Sequence, residues 1–110
     1  EEELGVYSDS FKSTGFQGGL NWYRARFVKK FIKEQQIFSG KKIEVPSLFI
    51  AGENDWGIFQ SPGALEKMRT KACSNMLDCH LIKNAGHWVQ QEQPESVAEF
   101  INNFLFEIKT

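Results

Sequence analysis

The chain has 110 residues, a formal net charge of −1, and hydrophobic and charged fractions of 41% and 25%. This composition is typical of one globular domain or of part of one. The near-neutral charge argues against a nucleic-acid or anionic-membrane partner, and the lack of an apolar run of about 18 residues argues against a membrane span. Because the chain opens on Glu1 rather than Met and shows no signal peptide, we expect a trimmed chain or a fragment.

The two cysteines, Cys73 and Cys79, are too few for the disulfide framework of a small secreted domain. Their spacing matches no zinc pattern, and His80 alone does not complete one. We therefore expect two reduced thiols in a cytoplasmic protein and no zinc site. No cofactor is expected either, which is part of the function proposed below rather than a consequence of the cysteines.

The first element is a helix predicted over residues 2–13, because Leu4, Tyr7 and Phe11 fall on one face at helical spacing. Gly15 marks its end. The pattern assigns Tyr7 to packing.

A second helix is predicted to begin near Leu20 or Asn21, after a turn at the two glycines 18–19. Asn21 is a candidate helix cap, and Tyr23 then falls in the first turn. The basic residues that follow are typical of a solvated helix face. The predicted apolar stripe is formed by Tyr23, Phe27 and Phe31. A polar break at residues 39–42 ends this part of the chain.

The second half alternates strands and helices. A continuous apolar run over 45–51 predicts a strand covered on both faces, and a helical face follows within 64–72. Residues 75–83 predict a second strand, with Leu77, Cys79 and Leu81 alternating. The last helix begins at Pro94, a residue that the first helical turn accepts. The pattern predicts two β-α units of a parallel sheet.

Two parallel strands cannot form a stable sheet alone, because both faces and both edges need cover. The ten Phe and three Trp would also leave a large apolar surface exposed on so small a piece. We therefore expect a further segment, on another chain or upstream, to complete the core.

Asp55 and His87 each follow the carboxyl end of a predicted strand. Ligand chemistry in open α/β sheets gathers beyond those ends. An Asp that accepts the Nδ1–H of a His fixes its tautomer, so that Nε2 can take a proton from a nucleophile or a water.

A simpler interpretation is that Asp55 only forms an Asx-turn and that His87 only packs in its loop. Glu53 is a rival acid two residues earlier. His80 is a rival base, but it falls inside the predicted strand.

Two segments, VPSLFIAGENDWG and NAGHWVQQEQPESVAEFINNFL, resemble the C-terminal end of α/β-hydrolase-fold enzymes. In that family the triad acid follows a late strand in a G-x-x-D turn, and the His follows the final strand in a G-H-W-like motif. Asp55 and His87 are the matching residues. These two motifs are shared by esterases, dehalogenases and epoxide hydrolases.

The segment TGFQGGLNWYRARF resembles the cap of epoxide hydrolases, in which a G-F-x-G-x-L-N-W-Y-R motif carries a catalytic tyrosine. Tyr23 is the matching residue. The resemblance covers essentially the whole chain. It implies an α/β fold with two parallel strands and flanking helices, in which residues 1–40 are the C-terminal part of an α-helical cap and residues 41–110 are the C-terminal part of the core.

The resemblance also implies a mechanism. The family's nucleophile, an Asp on a strand-to-helix elbow, attacks an epoxide carbon and forms an ester. A cap tyrosine pair stabilises the oxygen as it becomes an alkoxide, and water activated by the His–Asp pair hydrolyses the ester. Here Tyr23 would be one donor, His87 the base and Asp55 its partner. Trp88 and Ile58 match positions that line the substrate pocket, whereas Trp22 and Trp56 are assigned to packing.

The nucleophile elbow, the oxyanion-hole loop and the second family tyrosine do not occur in these 110 residues. We therefore expect this segment alone to be inactive, with the N-terminal part of the same hydrolase as its partner and a small molecule as its substrate.

Two alternatives stay open. Another hydrolase of the fold, a dehalogenase or an esterase, needs the same His–Asp pair but no phenolic donor. A non-catalytic binding relative would not need the pair at all. The sequence leaves the substrate and the oligomeric state, including a homo-oligomer, open.

Overall fold

The computed structural model describes residues 1–109, and the chain divides into two units, Glu1–Ser39 and Gly40–Thr110. The predicted boundary at residues 40 and 41 lies one residue from this division. Thr110, the last residue of the second predicted segment, lies outside the described residues. The assignment of the units to a cap and a core stays a prediction.

The first helix, α1, spans Glu2–Thr14. Glu2 and Glu3 lie in its first turn, where negative charge interacts favourably with the helix dipole. The helix ends at Gly15, whose φ of 65° is one that glycine adopts without strain. The Gly15 N–H donates to the Phe11 carbonyl, at 2.8 Å. The prediction of this helix and of its end is confirmed.

The second predicted helix is two helices, α2 over Gln17–Ala25 and α3 over Lys29–Gln35. At the end of α2, the N–H groups of Arg26 and Phe27 donate to carbonyls three residues back, at 3.1 and 3.0 Å. This tightens the last turn. Val28 then adopts extended backbone angles, φ −87° and ψ 114°. The predicted single helix is therefore wrong, because an extended residue separates its two halves.

The predicted start of α2 is also wrong. Its first turn contains both glycines 18–19, which were expected to form a turn before the helix. Asn21 lies inside α2 and does not cap it. Its side-chain oxygen accepts from Gln17 Nε2, at 3.0 Å, and from Arg24, at 3.4 Å. Tyr23 consequently lies in the last turn of α2 rather than in the first.

The second unit contains a two-stranded parallel sheet, as predicted. Strand β1 spans Ser47–Gly52 and strand β2 spans Met76–Ile82. Leu48 pairs with Asp78 and Gly52 with Ile82, and the register shifts once between Ser47 and Leu48. The strand ends therefore lie side by side at one edge of the sheet.

Short helices connect and follow the strands. After β1 comes a 3₁₀ turn over Trp56–Phe59, and then α4 over Ala64–Lys67, which continues as a π-helical turn over Met68–Ala72. After β2 come α5 over Val89–Glu92, which the sequence did not predict, and α6 over Pro94–Glu107. The predicted helix from Pro94 is confirmed.

The core of the second unit lies between the sheet and helices α5 and α6. Its buried side chains come from the end of β2, the following loop and the two helices. Ile50 and Phe100 pack against them. The buried residues are Ile82, Ala85, Val89 and Val97. Because Ala85 and Val89 belong to this cluster, the loop between them is fixed to the core at both ends.

The alternation predicted for the second strand does not match the burial. Leu77 and Leu81 are exposed and Cys79 is half-buried, whereas Ile82 is buried. Helix α6 covers the face of β2 that carries His80 and Ile82, as the stacking of Phe100 on His80 shows. The side chains on the opposite face therefore receive less cover.

Large apolar side chains are exposed in both units. Phe27 is 82% exposed in the first unit, and Trp56, Phe59 and Trp88 are 60–65% exposed in the second.

Both cysteines are free thiols, and burial raises the pKa of Cys79. Within residues 1–109, every helix is too short or too polar to cross a bilayer.

Candidate active site

Asp55 and His87 meet beyond the carboxyl ends of the two strands. Asp55 follows β1 by three residues, and His87 follows β2 by five. His87 Nδ1 lies 2.9 Å from Asp55 Oδ1. The parallel register places the strand ends side by side, so the two loops carry the acid and the imidazole to one place. Sequence reasoning predicted both residues and their proximity.

Asp55 also shapes its own turn. Its Oδ1 accepts the Gly57 N–H at 2.7 Å, and its carbonyl accepts the Ile58 N–H at 3.3 Å. The residue is 9% exposed. Asp55 thus does form an Asx-turn, but it does not form only that, because the same carboxylate oxygen also contacts His87. The turn therefore holds the Asp55 carboxylate in place independently of the His87 ring.

These contacts keep Asp55 ionised. The hydrogen bond from the Gly57 N–H holds the pKa of Asp55 below its usual value, and the His87 ring adds to this effect, while burial opposes it. A carboxylate only accepts hydrogen bonds, so Nδ1 of His87 carries the shared proton. The other ring nitrogen, Nε2, is then the one that can take a proton from a bound molecule.

Backbone contacts tie the two loops together. The Glu53 N–H donates to the Ile82 carbonyl at 2.9 Å, and the Asn54 N–H donates to the Ala85 carbonyl at 3.0 Å. Gly52 lies directly against the second loop, since a Cβ atom on Gly52 would overlap the carbonyl oxygens of Ala85 and Gly86. The distance between the two loops is therefore set by backbone atoms.

We expect Gly52→Ala to lower the free energy of unfolding by about 1–3 kcal/mol, the cost of overpacking a tight contact. The added methyl group has only backbone carbonyls to displace, and these belong to the loop that carries His87. Urea unfolding of the complete protein measures the change.

Gly18→Ala is the matched control, because nothing lies within 4 Å of a Cβ atom at Gly18. This position is inside α2, where Ala stabilises a helix relative to Gly by up to about 1 kcal/mol. Equal urea midpoints for the two variants would contradict the packing argument.

Two tryptophans flank the imidazole. The Trp56 ring stacks beside His87, with a centroid distance of 5.4 Å and an interplanar angle of 27°. Trp88 meets the same ring edge-on, also at 5.4 Å. The assignment of Trp56 to packing was therefore incomplete, because its ring packs on the candidate base itself. Ile58 is half-buried in the turn after Asp55. The substrate-binding roles of Trp88 and Ile58 stay predictions.

Tyr23 belongs to the first unit. It is 60% exposed, and its ring lies edge-on to Trp22 at a centroid distance of 4.9 Å. Arg26 lies over the Trp22 ring, 5.6 Å from its centroid. Trp22, itself 63% exposed, thus contacts two residues close to it in the sequence. The role of the Tyr23 hydroxyl stays a prediction.

The rival residues occupy other environments. His80 lies within β2, where Nε2 is 2.8 Å from Asp78 Oδ2 and the ring stacks on Phe100 at 3.6 Å. Glu53 is exposed, whereas the carboxylate that contacts His87 is that of Asp55. Within residues 1–109, no three His, Cys, Asp or Glu side chains are grouped so as to hold a metal ion.

Glu92 is a site residue that sequence reasoning missed. Its two carboxylate oxygens accept the backbone N–H groups of Gly86 and Trp88, at 2.7 and 3.0 Å. A capping-box pattern indicates a contact of this kind, but it needs Ser or Thr at the N-cap and the Glu three residues later, whereas Glu92 comes four residues after Trp88. Trp88 occupies the N-cap of α5, so the sequence carried no signal.

No family model matches the chain. Curated relatives do match it. Epoxide hydrolase A of Mycobacterium tuberculosis is 40% identical over an alignment that covers 96% of this chain and 31% of the relative. Epoxide hydrolase 3 of Siraitia grosvenorii is 32% identical, covering 96% of this chain and 34% of the relative.

Solved structures agree. Epoxide hydrolase I of potato (Solanum tuberosum) superposes with a TM-score of 0.81 and 32% identity, covering 97% of this chain and 34% of that chain. The chain thus spans about a third of the length of the proteins it matches. The predicted resemblance and fold class are confirmed: the chain is similar in sequence and structure to the C-terminal part of α/β-hydrolase-fold epoxide hydrolases.

Proposed function

We propose that this chain is the C-terminal part of an epoxide hydrolase, an enzyme that adds water to an epoxide and releases a diol. The observation that carries the proposal is the 2.9 Å contact between His87 Nδ1 and Asp55 Oδ1 at the carboxyl ends of β1 and β2. The LNWYR motif with Tyr23 and the similarity to epoxide hydrolases support the same assignment. The enzyme needs no cofactor.

The first chemical step belongs to a nucleophilic Asp supplied by the N-terminal part of the hydrolase. Its carboxylate attacks an epoxide carbon, so that a carbon–oxygen ester bond forms and a ring carbon–oxygen bond breaks. Tyr23 donates a hydrogen bond to the ring oxygen, which gains negative charge as the ring opens. Preorganised donors of this kind stabilise the transition state more than the ground state.

The second step belongs to the pair in this chain. His87 Nε2 removes a proton from a water, whose oxygen attacks the ester carbonyl, and the bond between the carbonyl carbon and the diol oxygen breaks. The two protons of the water, one of them returned by the imidazolium, pass to the two alkoxide oxygens, so that the diol leaves and the carboxylate and the neutral imidazole form again. The imidazolium that forms is stabilised by Asp55, which is held ionised by Gly57 and His87. Trp88 and Ile58 would line the pocket around the reacting ester.

The nucleophile and the oxyanion hole must come from outside these 110 residues. We infer that the N-terminal part of the same hydrolase supplies the nucleophile and the oxyanion hole. The exposure of Phe27 in the first unit, and of Trp56, Phe59 and Trp88 in the second, supports this inference, because so many large exposed apolar side chains are typical of a surface that another segment covers. We also propose a cytoplasmic location, where the two free thiols would stay reduced.

We expect Tyr23→Phe, in the complete protein that contains these residues, to lower the rate constant for epoxide opening by about 10²-fold, the usual cost of losing one oxyanion donor. The aromatic ring is kept, so packing changes little. Tyr7→Phe is the matched control, because it removes the chain's other phenolic hydroxyl, on α1. Diol formation under single-turnover conditions is the measurement.

Unchanged diol formation in Tyr23→Phe would remove the assigned role. Halide release without diol formation would identify a dehalogenase, and ester cleavage with an upstream serine nucleophile would identify an esterase. Binding without turnover in the complete protein would identify a non-catalytic relative.

A further inference from the structure

The loop that carries His87 is held by one carboxylate from both sides of the histidine. Glu92 Oε2 accepts the N–H of Gly86, at 2.7 Å, and Glu92 Oε1 accepts the N–H of Trp88, at 3.0 Å. Gly86 and Trp88 are the two chain neighbours of His87. The carboxylate therefore spans the backbone of the one residue between them.

Hydrogen bonds that involve an ionised group are about twice as strong as neutral ones. A carboxylate with two accepting oxygens also fixes both donors in one orientation, which a single acceptor does not. Helix α5 starts directly after this loop and places Glu92 at its last position. Val89, on the same helix, is buried against Ala85 in the core, so the first residue of the helix that carries Glu92 is anchored there.

The two hydrogen bonds to Glu92 restrict the backbone at His87, and the backbone in turn determines where the imidazole ring lies. The His87 side chain is 49% exposed, so the burial of Ala85 and Val89 at the ends of the loop does not by itself fix the backbone at His87. The only side-chain hydrogen bond that the structure gives the ring within residues 1–109 is the one to Asp55. The backbone from which the ring extends is fixed on each side by Glu92.

We propose that Glu92 is a positioning residue for His87: its carboxylate holds the backbone on both sides of the histidine, so that Nδ1 reaches Asp55 and Nε2 faces the ester. The kinetic part of this inference rests on the proposed function, whereas the structural part does not. Glu92 acts through His87 and does not touch the substrate.

Glu92→Gln tests the proposal. The amide has one accepting oxygen, and its NH₂ group must face the second backbone N–H, so one of the two contacts is lost. Glu95→Gln is the matched control, because it removes the same charge from an exposed position in the first turn of α6. Both variants are made in the complete protein.

The first measurement is amide hydrogen exchange at Gly86 and Trp88, followed by NMR. We expect exchange at one or both amides to accelerate by about tenfold in Glu92→Gln, corresponding to the loss of a hydrogen bond to a charged group, and to stay unchanged in Glu95→Gln. Unchanged exchange in Glu92→Gln would overturn the proposal, whatever the protein catalyses.

The second measurement separates the two chemical steps. A misplaced His87 slows hydrolysis of the ester by about 10- to 100-fold but leaves formation of the ester unchanged, so the covalent intermediate accumulates and appears by intact mass. Equal loss in both steps would indicate a merely structural role and overturn the positioning claim.

Glu92→Asp is the second variant for this test and is used if Glu92→Gln does not fold. It keeps the charge but is one methylene shorter, so it cannot reach both N–H groups, and the same exchange and kinetic results are expected. If the unmodified protein turned over no epoxide, the proposed function would fail, and the exchange comparison would still decide the role of Glu92.

Discussion

His87→Gln, in the complete protein, is expected to lower kcat for diol formation by about 10²- to 10⁴-fold, the range that a positioned general base contributes. The loss should fall on the second step alone. The nucleophile still opens the epoxide, because His87 has no role in ester formation, but no base remains to activate water. The ester therefore accumulates to one equivalent per protein, which intact mass spectrometry of a quenched reaction measures.

His80→Gln is the control for this experiment. It makes the same chemical change in the chain's other histidine, which pairs with Asp78 and stacks on Phe100 within the second unit. Its kcat should match that of the unmodified protein at temperatures where the fold is intact. If both histidine variants turned over epoxide normally, His87 would not be the base.

Asp55→Asn is expected to have a comparable effect for a different reason. An amide can offer its NH₂ group to Nδ1, which favours the tautomer with the proton on Nε2 and removes the basic nitrogen from the water. In a Ser–His–Asp triad this change costs about 10⁴-fold in kcat. Steady-state kinetics of the complete protein measures it, and a loss below tenfold would show that Asp55 does not orient the base. Glu53→Gln is the control, since Glu53 is exposed two residues earlier.

The same variant tests the lowered pKa of Asp55. A carboxyl group whose pKa is lower in the folded state contributes stability above its unfolded pKa and loses that contribution as the pH falls through the folded value. The free energy of unfolding of the unmodified protein should therefore exceed that of Asp55→Asn at neutral pH. The difference should shrink on acidification below the ordinary range of an Asp. A difference that does not change with pH would assign the effect to geometry rather than charge.

The second unit was the more predictable one. The continuous apolar run before Gly52 and the alternating segment up to Ile82 are short and bounded by turn residues, and a helical segment separates them, which favours a parallel pair of strands. The position of each candidate residue after a strand end then followed from topology alone. What the sequence could not give was which face of β2 would be covered, because that depends on where Phe100 of α6 packs.

The first unit was less predictable. Its aromatic stripe continues at helical spacing through Phe27, so periodicity favoured one long helix. The break depends on the backbone angles of a single residue, Val28, which no pattern signals. The glycines 18–19 misled the prediction in the opposite direction: they suggested a turn, yet they lie in the first turn of α2. The first N–H groups of a helix have no intrahelical partner with any residue type, so glycine is tolerated there.

The backbone contacts between the loops that carry Asp55 and His87 have a consequence for how the gene can recombine. Three features fix these loops, and all of them lie within residues 47–92. They are the hydrogen bond from Asn54 to Ala85, the close approach of Gly52 to the second loop, and the hydrogen bonds from Gly86 and Trp88 to Glu92. The geometry of Asp55 and His87 is thus encoded in one continuous stretch of the gene. A recombination crossover in the gene near the codon for residue 40 would therefore move Asp55 and His87 together. The contact between the two side chains would then be inherited as a block, whichever chain supplies the rest of the fold.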